Sequence, residues 1–145
     1  MSAREDIAIN IAQQLQNMTS PAPGLVSRKF FDVAKLAITQ FPAILIVTSN
    51  EEREDVSMDL RRSTTQYVLR CYVRGPELDT LRNEIVERIE ETLETQRGRN
   101  ISLNANAIHN VTTRINSIQI VEREIPLGEV IVTVDVLYTY KKGAL

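Results

Sequence analysis

The chain has 145 residues, 17 of them basic and 19 acidic, for a formal net charge of -2. That length suits one domain with a real core, and the near-neutral balance leaves no electrostatic footprint for gripping nucleic acid. A single cysteine, Cys71, excludes an intrachain disulfide framework and fits a reducing compartment, and no apolar run is long enough to span a bilayer. The opening MSARED has neither the apolar core nor the cleavage site of a signal peptide, so the expected setting is a soluble, cytosolic single domain spanning residues 1–145.

Taken in order, Ser2 and Glu5 have the spacing of a capping box, and Ile7, Ile11, Leu15 and Met18 follow at helical intervals. A first helix is therefore expected from about Ala3 to Met18. The TSPAPG stretch ends it, because two prolines and a glycine do not continue a helix. Leu25 to Phe31 reads as a short strand or extended arm, and Asp32 is placed to cap a brief helix before Phe41 and Pro42. AILIVTS then reads as a strand buried on both sides, with Leu45 and Val47 on one face and Ile44 and Ile46 on the other. The charge cluster NEERED, Asn50 to Asp55, looks like a solvated loop or hairpin tip.

TTQYVLRCYVRG is a clear strand. Tyr67, Leu69, Cys71 and Val73 share its core side, while Gln66, Val68, Arg70, Tyr72 and Arg74 share the other. A long helix follows between Gly75 and Gly98, with Leu78, Leu81, Ile85, Ile89 and Leu93 in one stripe and Pro76 suited to its first turn. RNISLNANAIHN is rich in asparagine and poor in pattern, hence mostly loop with room for a short strand. TTRINSIQIVERE is a strand whose alternation slips between Ile115 and Ile118, which predicts a bulge near Asn116. IPLG is a connection of hairpin length. The last strand is the most regular: Val130, Val132, Val134, Val136, Tyr138 and Tyr140 alternate against Ile131, Thr133, Asp135, Leu137 and Thr139.

The order predicts an α+β fold: a mixed, mostly antiparallel sheet of four to five strands, with the N-terminal helix and the long helix on one face. The other face would carry Ile44, Ile46, Val68, Tyr72, Ile131 and Leu137 among Arg70, Arg74 and Asp135. A half-apolar face of this kind is either a site of association or a scatter of surface residues without a role.

Residues for chemistry are few. His109 is the single histidine, with no second histidine or cysteine at ligand spacing, so no metal or cofactor is expected. A Cys71–His109 nucleophilic pair is conceivable across the fold, but Cys71 lies on the apolar parity of its strand and reads better as a small buried hydrophobe. The glutamates of the long helix, Glu84, Glu87, Glu90, Glu91 and Glu94, read as a solvated outer face, with docking to a basic partner as the lesser alternative.

The sequence resembles the tail terminator (tail completion) proteins of long-tailed bacteriophages. The resemblance is carried by the N-terminal amphipathic helix, FPAILIV opening a central strand and the charged NEERED segment. TTQYVLRCYVRG running into GPELDTLRNEIVERIEETL continues it, and INSIQIVE with EVIVTVDVLYTYKK closes it. It is a likeness of size and element order over nearly the whole chain, without one diagnostic motif. It implies a non-enzymatic virion protein of the tail and neck, assembled in the host cytoplasm. Such proteins form hexameric rings that cap the tail tube, stop its growth and help join tail to head. The implied partners are further copies of the chain, a tail tube protein and a neck or connector protein, with DNA passing through the channel without sequence-specific contact. On that reading the contact residues are Glu51, Glu52, Arg53, Glu54 and Asp55, the strand residues Arg70, Tyr72 and Arg74, and Lys141 and Lys142. Another neck or head-completion protein, or a small adaptor binding through the same sheet face, is the alternative.

Overall fold

The computed structural model describes residues 3–94, 99–103 and 106–141. Its elements are α1 (Ala3–Gln16), β1 (Leu25–Ser27), β2 (Ala43–Asp55), β3 (Leu60–Arg74), α2 (Leu78–Glu94), β4 (Arg99–Leu103), β5 (Asn106–Val121) and β6 (Leu127–Lys141). The strands form one sheet in the order β1-β2-β3-β6-β5-β4. β1 runs parallel to β2, and every other neighbouring pair is antiparallel. This is the expected α+β fold with a mixed, mostly antiparallel sheet, its four long strands flanked by the short edge strands β1 and β4.

The core forms where the periodicities of sheet and helices meet. Tyr67, Leu69, Cys71 and Val73 of β3 and the whole alternating set from Val130 to Tyr140 on β6 are buried. Ile85, Ile89 and Leu93 of α2 and Ile7, Ile11, Leu15 and Met18 near α1 are buried with them, in one cluster. Each stripe removes a continuous apolar band from water, at roughly 25 cal/mol per Å². α1 touches β1 and β4, the two ends of the strand order, as well as α2. Glu5 fixes its first turn by a bidentate pair with Arg28 at 2.7 and 2.8 Å. The Ser2 half of the expected capping box lies outside the described residues, as does the Gly98 stop of the long helix.

Four expectations are corrected. Ile44 and Ile46 face the helices, because they pair with Cys71 and Leu69, while Leu45 and Val47 lie on the other side. β2 is buried on both faces from Ala43 to Ile46, so its pattern carried no parity, and only the register with β3 assigns it. The segment Glu51 to Asp55 is strand, not tip. It pairs with Thr65 to Arg61 after a register shift beyond Thr48, and the turn falls at residues 56–59. Charge could not distinguish these cases, because the acids of β2 are matched by arginines on β3: Glu54 with Arg62 at 2.9 Å and Asp55 with Arg61 at 3.0 Å. The asparagine-rich stretch is a hairpin, with Arg99 opposite Val111 and Leu103 opposite Asn106. Backbone pairing does not require apolar side chains at a sheet's end, so composition hid it. The brief helix after Asp32 is two 3₁₀ turns, Val33–Lys35 and Ile38–Gln40, the first capped by the Asp32 carboxylate, which accepts from Ala34 N at 3.0 Å. The expected bulge at Asn116 is present as a register shift between Ile115 and Ser117.

Candidate interaction surface

No helix covers the second face of the β3-β6-β5 sheet among the described residues. Following the register across one row places Val68 beside Thr133 and Ser117, and the next row places Arg70 beside Ile131 and Gln119. Val68, Ile131, Thr133 and Asp135 are half-buried, whereas Arg70, Arg114 and Leu137 are exposed. Asn116, in the bulge of β5, donates from Nδ2 to the Asp135 carboxylate at 3.0 Å. The face is therefore mixed row by row: apolar side chains sit between charged or amide neighbours.

One end of this face is closed. The segment carrying Phe31, Val33 and Leu36 folds over β2 and packs on Ala43, Leu45 and Tyr72 in a second, smaller core. Tyr72 was expected on an exposed face but is only 4% exposed. Phe31 meets its ring edge-on with centroids 5.8 Å apart, and the Arg123 guanidinium lies 5.1 Å from its centroid. Arg123 donates to the Glu129 carboxylate at 2.6 Å, and Arg70 approaches the other oxygen at 3.5 Å. Glu129 is buried, and the Arg123 pKa is raised chiefly by its hydrogen bond to that carboxylate. A carboxylate removed from water needs such partners, because its desolvation costs several kcal/mol. Beside this clamp lies an open groove of about 660 Å³ whose lining includes Phe31, Tyr72, Arg123 and Leu127.

The helix-covered face has its own buried acid at the opposite end of the strands. Glu51 accepts from Arg4 at 2.6 Å, Arg53 at 2.7 Å, and the Thr65 and Tyr138 hydroxyls at 3.0 Å each. Burial acts to raise its pKa, but the hydrogen bonds from Arg4, Arg53, Tyr138 and Thr65 outweigh it and hold the carboxyl at about 2. The cluster ties α1 to β2, β3 and β6.

The residues singled out in the sequence thus fall into separate places. Glu51 and Arg53 are engaged with each other on the helix side, and Glu54 and Asp55 are paired across the hairpin. Glu52 is exposed and lines a shallow depression with Thr64 and Leu137. Arg70 joins the Glu129 clamp, Tyr72 is buried beneath Phe31 and Arg123, and Arg74 is exposed at the end of β3. Lys141 ends β6 with its backbone opposite Leu60, and Lys142 lies outside the described residues. Arg123, Glu129 and Phe31 were missed. The one available signal was Glu129 on the parity of Ile131 and Thr133, directly before an apolar alternation.

The Cys71–His109 pair does not form as a site. Cys71 lies opposite Val130 and His109 opposite Thr139, nine residues apart along β6, or roughly 30 Å at strand rise. Cys71 is fully buried, and burial pushes its thiol pKa up, away from the thiolate a nucleophile needs. Among the described residues no group of three or more histidine, cysteine or acidic side chains is placed to hold a metal. No described helix is long and apolar enough to cross a membrane.

No family model matches the chain, and no characterised protein matches it in sequence. A solved chain described as belonging to the virion of a native gene transfer agent particle is similar in fold, with a TM-score of 0.47 and 8% identity. That match covers 97% of this chain and 92% of the other.

Proposed function

We propose that this chain is a structural protein of a phage particle. In this reading it assembles with copies of itself into a ring, hexameric as the resemblance implies, that caps the tail tube and helps join the tail to the neck. The observation that carries the reading is the open sheet face. Val68, Ile131 and Leu137 stand between Arg70, Arg114 and Asp135 on a regular strand lattice, with no helix above them among the described residues. Surfaces with apolar residues set among polar ones suit association that stays soluble until a partner is met. The order of elements that carries the resemblance, from α1 through β2 and β3 into α2 and then β5 and β6, is also the order of the fold. The chemistry of the chain then lies in contacts: with its copies, with a tail tube protein, and with a neck or connector protein. DNA passes through without sequence-specific contact.

The test is the state of the purified protein. Light scattering coupled to size exclusion should give a multiple of the 16.4 kDa chain, and negative-stain images should show rings. A monomer at every concentration, both alone and with tail tubes, would sink the reading.

A further inference from the structure

We infer that the subunits join edge to edge, β1 of one copy adding to β5 of the next. This deepens the ring reading and rests on it.

The two strands lie on opposite sides of the same rows. Val26 pairs with Ile44, Ile44 with Cys71, Cys71 with Val130, and Val130 with Ile120. By the same path Leu25 shares a row with Val121, and Ser27 shares one with Gln119. β4 pairs with β5 only as far as Val111, so residues 116–121 of β5 have no strand on their outer side among the described residues. β1 likewise has β2 as its one strand neighbour. A strand edge without a strand partner is a template for another strand, and no proline or lysine guards residues 116–121.

Direction and side chains agree with the pairing. β1 and β2 run one way and β5 the opposite way, so a rotation about an axis along the strands brings β1 against β5 antiparallel. Two different edges joined by rotation form a heterologous contact, the kind that closes into rings. At equal height the opposed residues are Leu25 with Val121, Val26 with Ile120, and Ser27 with Gln119: two apolar pairs and one polar pair. Ile120 is 47% exposed within one subunit and Ile118 48%, an unusual display for isoleucines on a core-facing parity, and a neighbouring β1 would cover Ile120. The open face adds charge complementarity. Exposed Arg114 on β5 and exposed Glu52 on β2 make no ion pair or side-chain hydrogen bond within the subunit among the described residues. Both lie beyond the end of β1, Arg114 in the row of Gln66 and Glu52 in the row of Thr64, so the joined edges would set opposite charges two residues apart in height.

Cysteines at Ser27→Cys and Gln119→Cys in the same chain test the pairing. Within one subunit these positions are four strand spacings apart, roughly 19 Å, too far for an intrachain bridge. Cys71 is buried and does not compete. Mild oxidation should give an interchain ladder ending at one closed species, and neither single variant should give it. As a second variant, Ile120→Lys should weaken association at least tenfold while leaving the thermal midpoint of the subunit unchanged. Rings that form without a ladder, or that survive Ile120→Lys at the wild-type concentration, would overturn the edge pairing and leave the ring reading standing. A wild type that stays monomeric at every concentration, with or without tail tubes, would overturn both.

Discussion

The two faces of the sheet are built from the same strands and solve different problems. On the helix side, Tyr67, Leu69, Cys71 and the valines of β6 are sealed under α1 and α2, and the Glu51 carboxylate at their far end is held by four donors. On the other side only the end at Ala43, Leu45 and Tyr72 is closed; Val68 and Ile131 are half-covered, and the buried acid, Glu129, is held by Arg123 and Arg70, both partly in water. Stability is thus concentrated on one face. The other leaves part of its apolar surface open to solvent.

The largest test of this asymmetry is a matched pair of truncations. Ile89→Ala removes a fully buried side chain from the stripe of α2 and should cost about 3–4 kcal/mol, partly through the cavity it leaves. Leu137→Ala, on the open face at 38% exposure, should cost less than about 1 kcal/mol. Urea denaturation of both variants measures the difference. Equal losses would mean that the open face is packed in solution.

The two acids sharpen the same contrast. Glu51→Ala leaves Arg4, Arg53, Thr65 and Tyr138 without their shared acceptor and should cost about 3 kcal/mol. Its pKa is depressed in the folded state, from 4.5 to about 2. A depressed acid stabilises the fold fully above its unfolded pKa, and that stabilisation is lost as pH falls toward the folded value. Wild type and Glu51→Ala should therefore differ most above pH 4.5 and converge toward pH 2. A gap that stays constant across that window would show that the carboxylate charge contributes nothing. Glu129→Ala should cost less, about 2 kcal/mol, because its arginines can turn to solvent.

What the sequence made legible follows the same division. Where one face is sealed and the other is not, side chains alternate cleanly, and β3, β6 and the stripe of α2 could be read residue by residue. β2 could not, because Ala43 to Ile46 are buried on both sides and alternation vanishes when both faces are apolar. The hairpin β4–β5 was hidden by its asparagines, since strand pairing there is held by backbone. Of the residues expected to make contacts, Glu52 and Arg74 are exposed, but Tyr72 is not: the cover over it comes from Phe31, forty-one residues away in sequence, and no local pattern announces that contact. Arg123 and Glu129 are close in sequence, yet their pairing depends on the turn between β5 and β6 bringing them to one side.

The smallest expected effect separates charge that holds the fold from charge that only decorates it. Glu54 and Arg62 are both largely in water and meet at 2.9 Å across the β2–β3 hairpin, three residues beyond Glu51. Exposed pairs of this kind contribute about 0–1 kcal/mol, since solvent screens the attraction and ordering two long side chains opposes it. A double-mutant cycle with Glu54→Ala and Arg62→Ala should therefore give a coupling below about 0.5 kcal/mol, erased by added salt. The same cycle on Glu51 and Arg53 should exceed it, because Glu51 is shielded from water and can only be satisfied by its neighbours. A coupling at Glu54–Arg62 as large as at Glu51–Arg53 would mean that the distal hairpin is ordered by its charges. The acidic run of β2 would then be one cooperative network rather than a single anchored residue followed by a solvated rim.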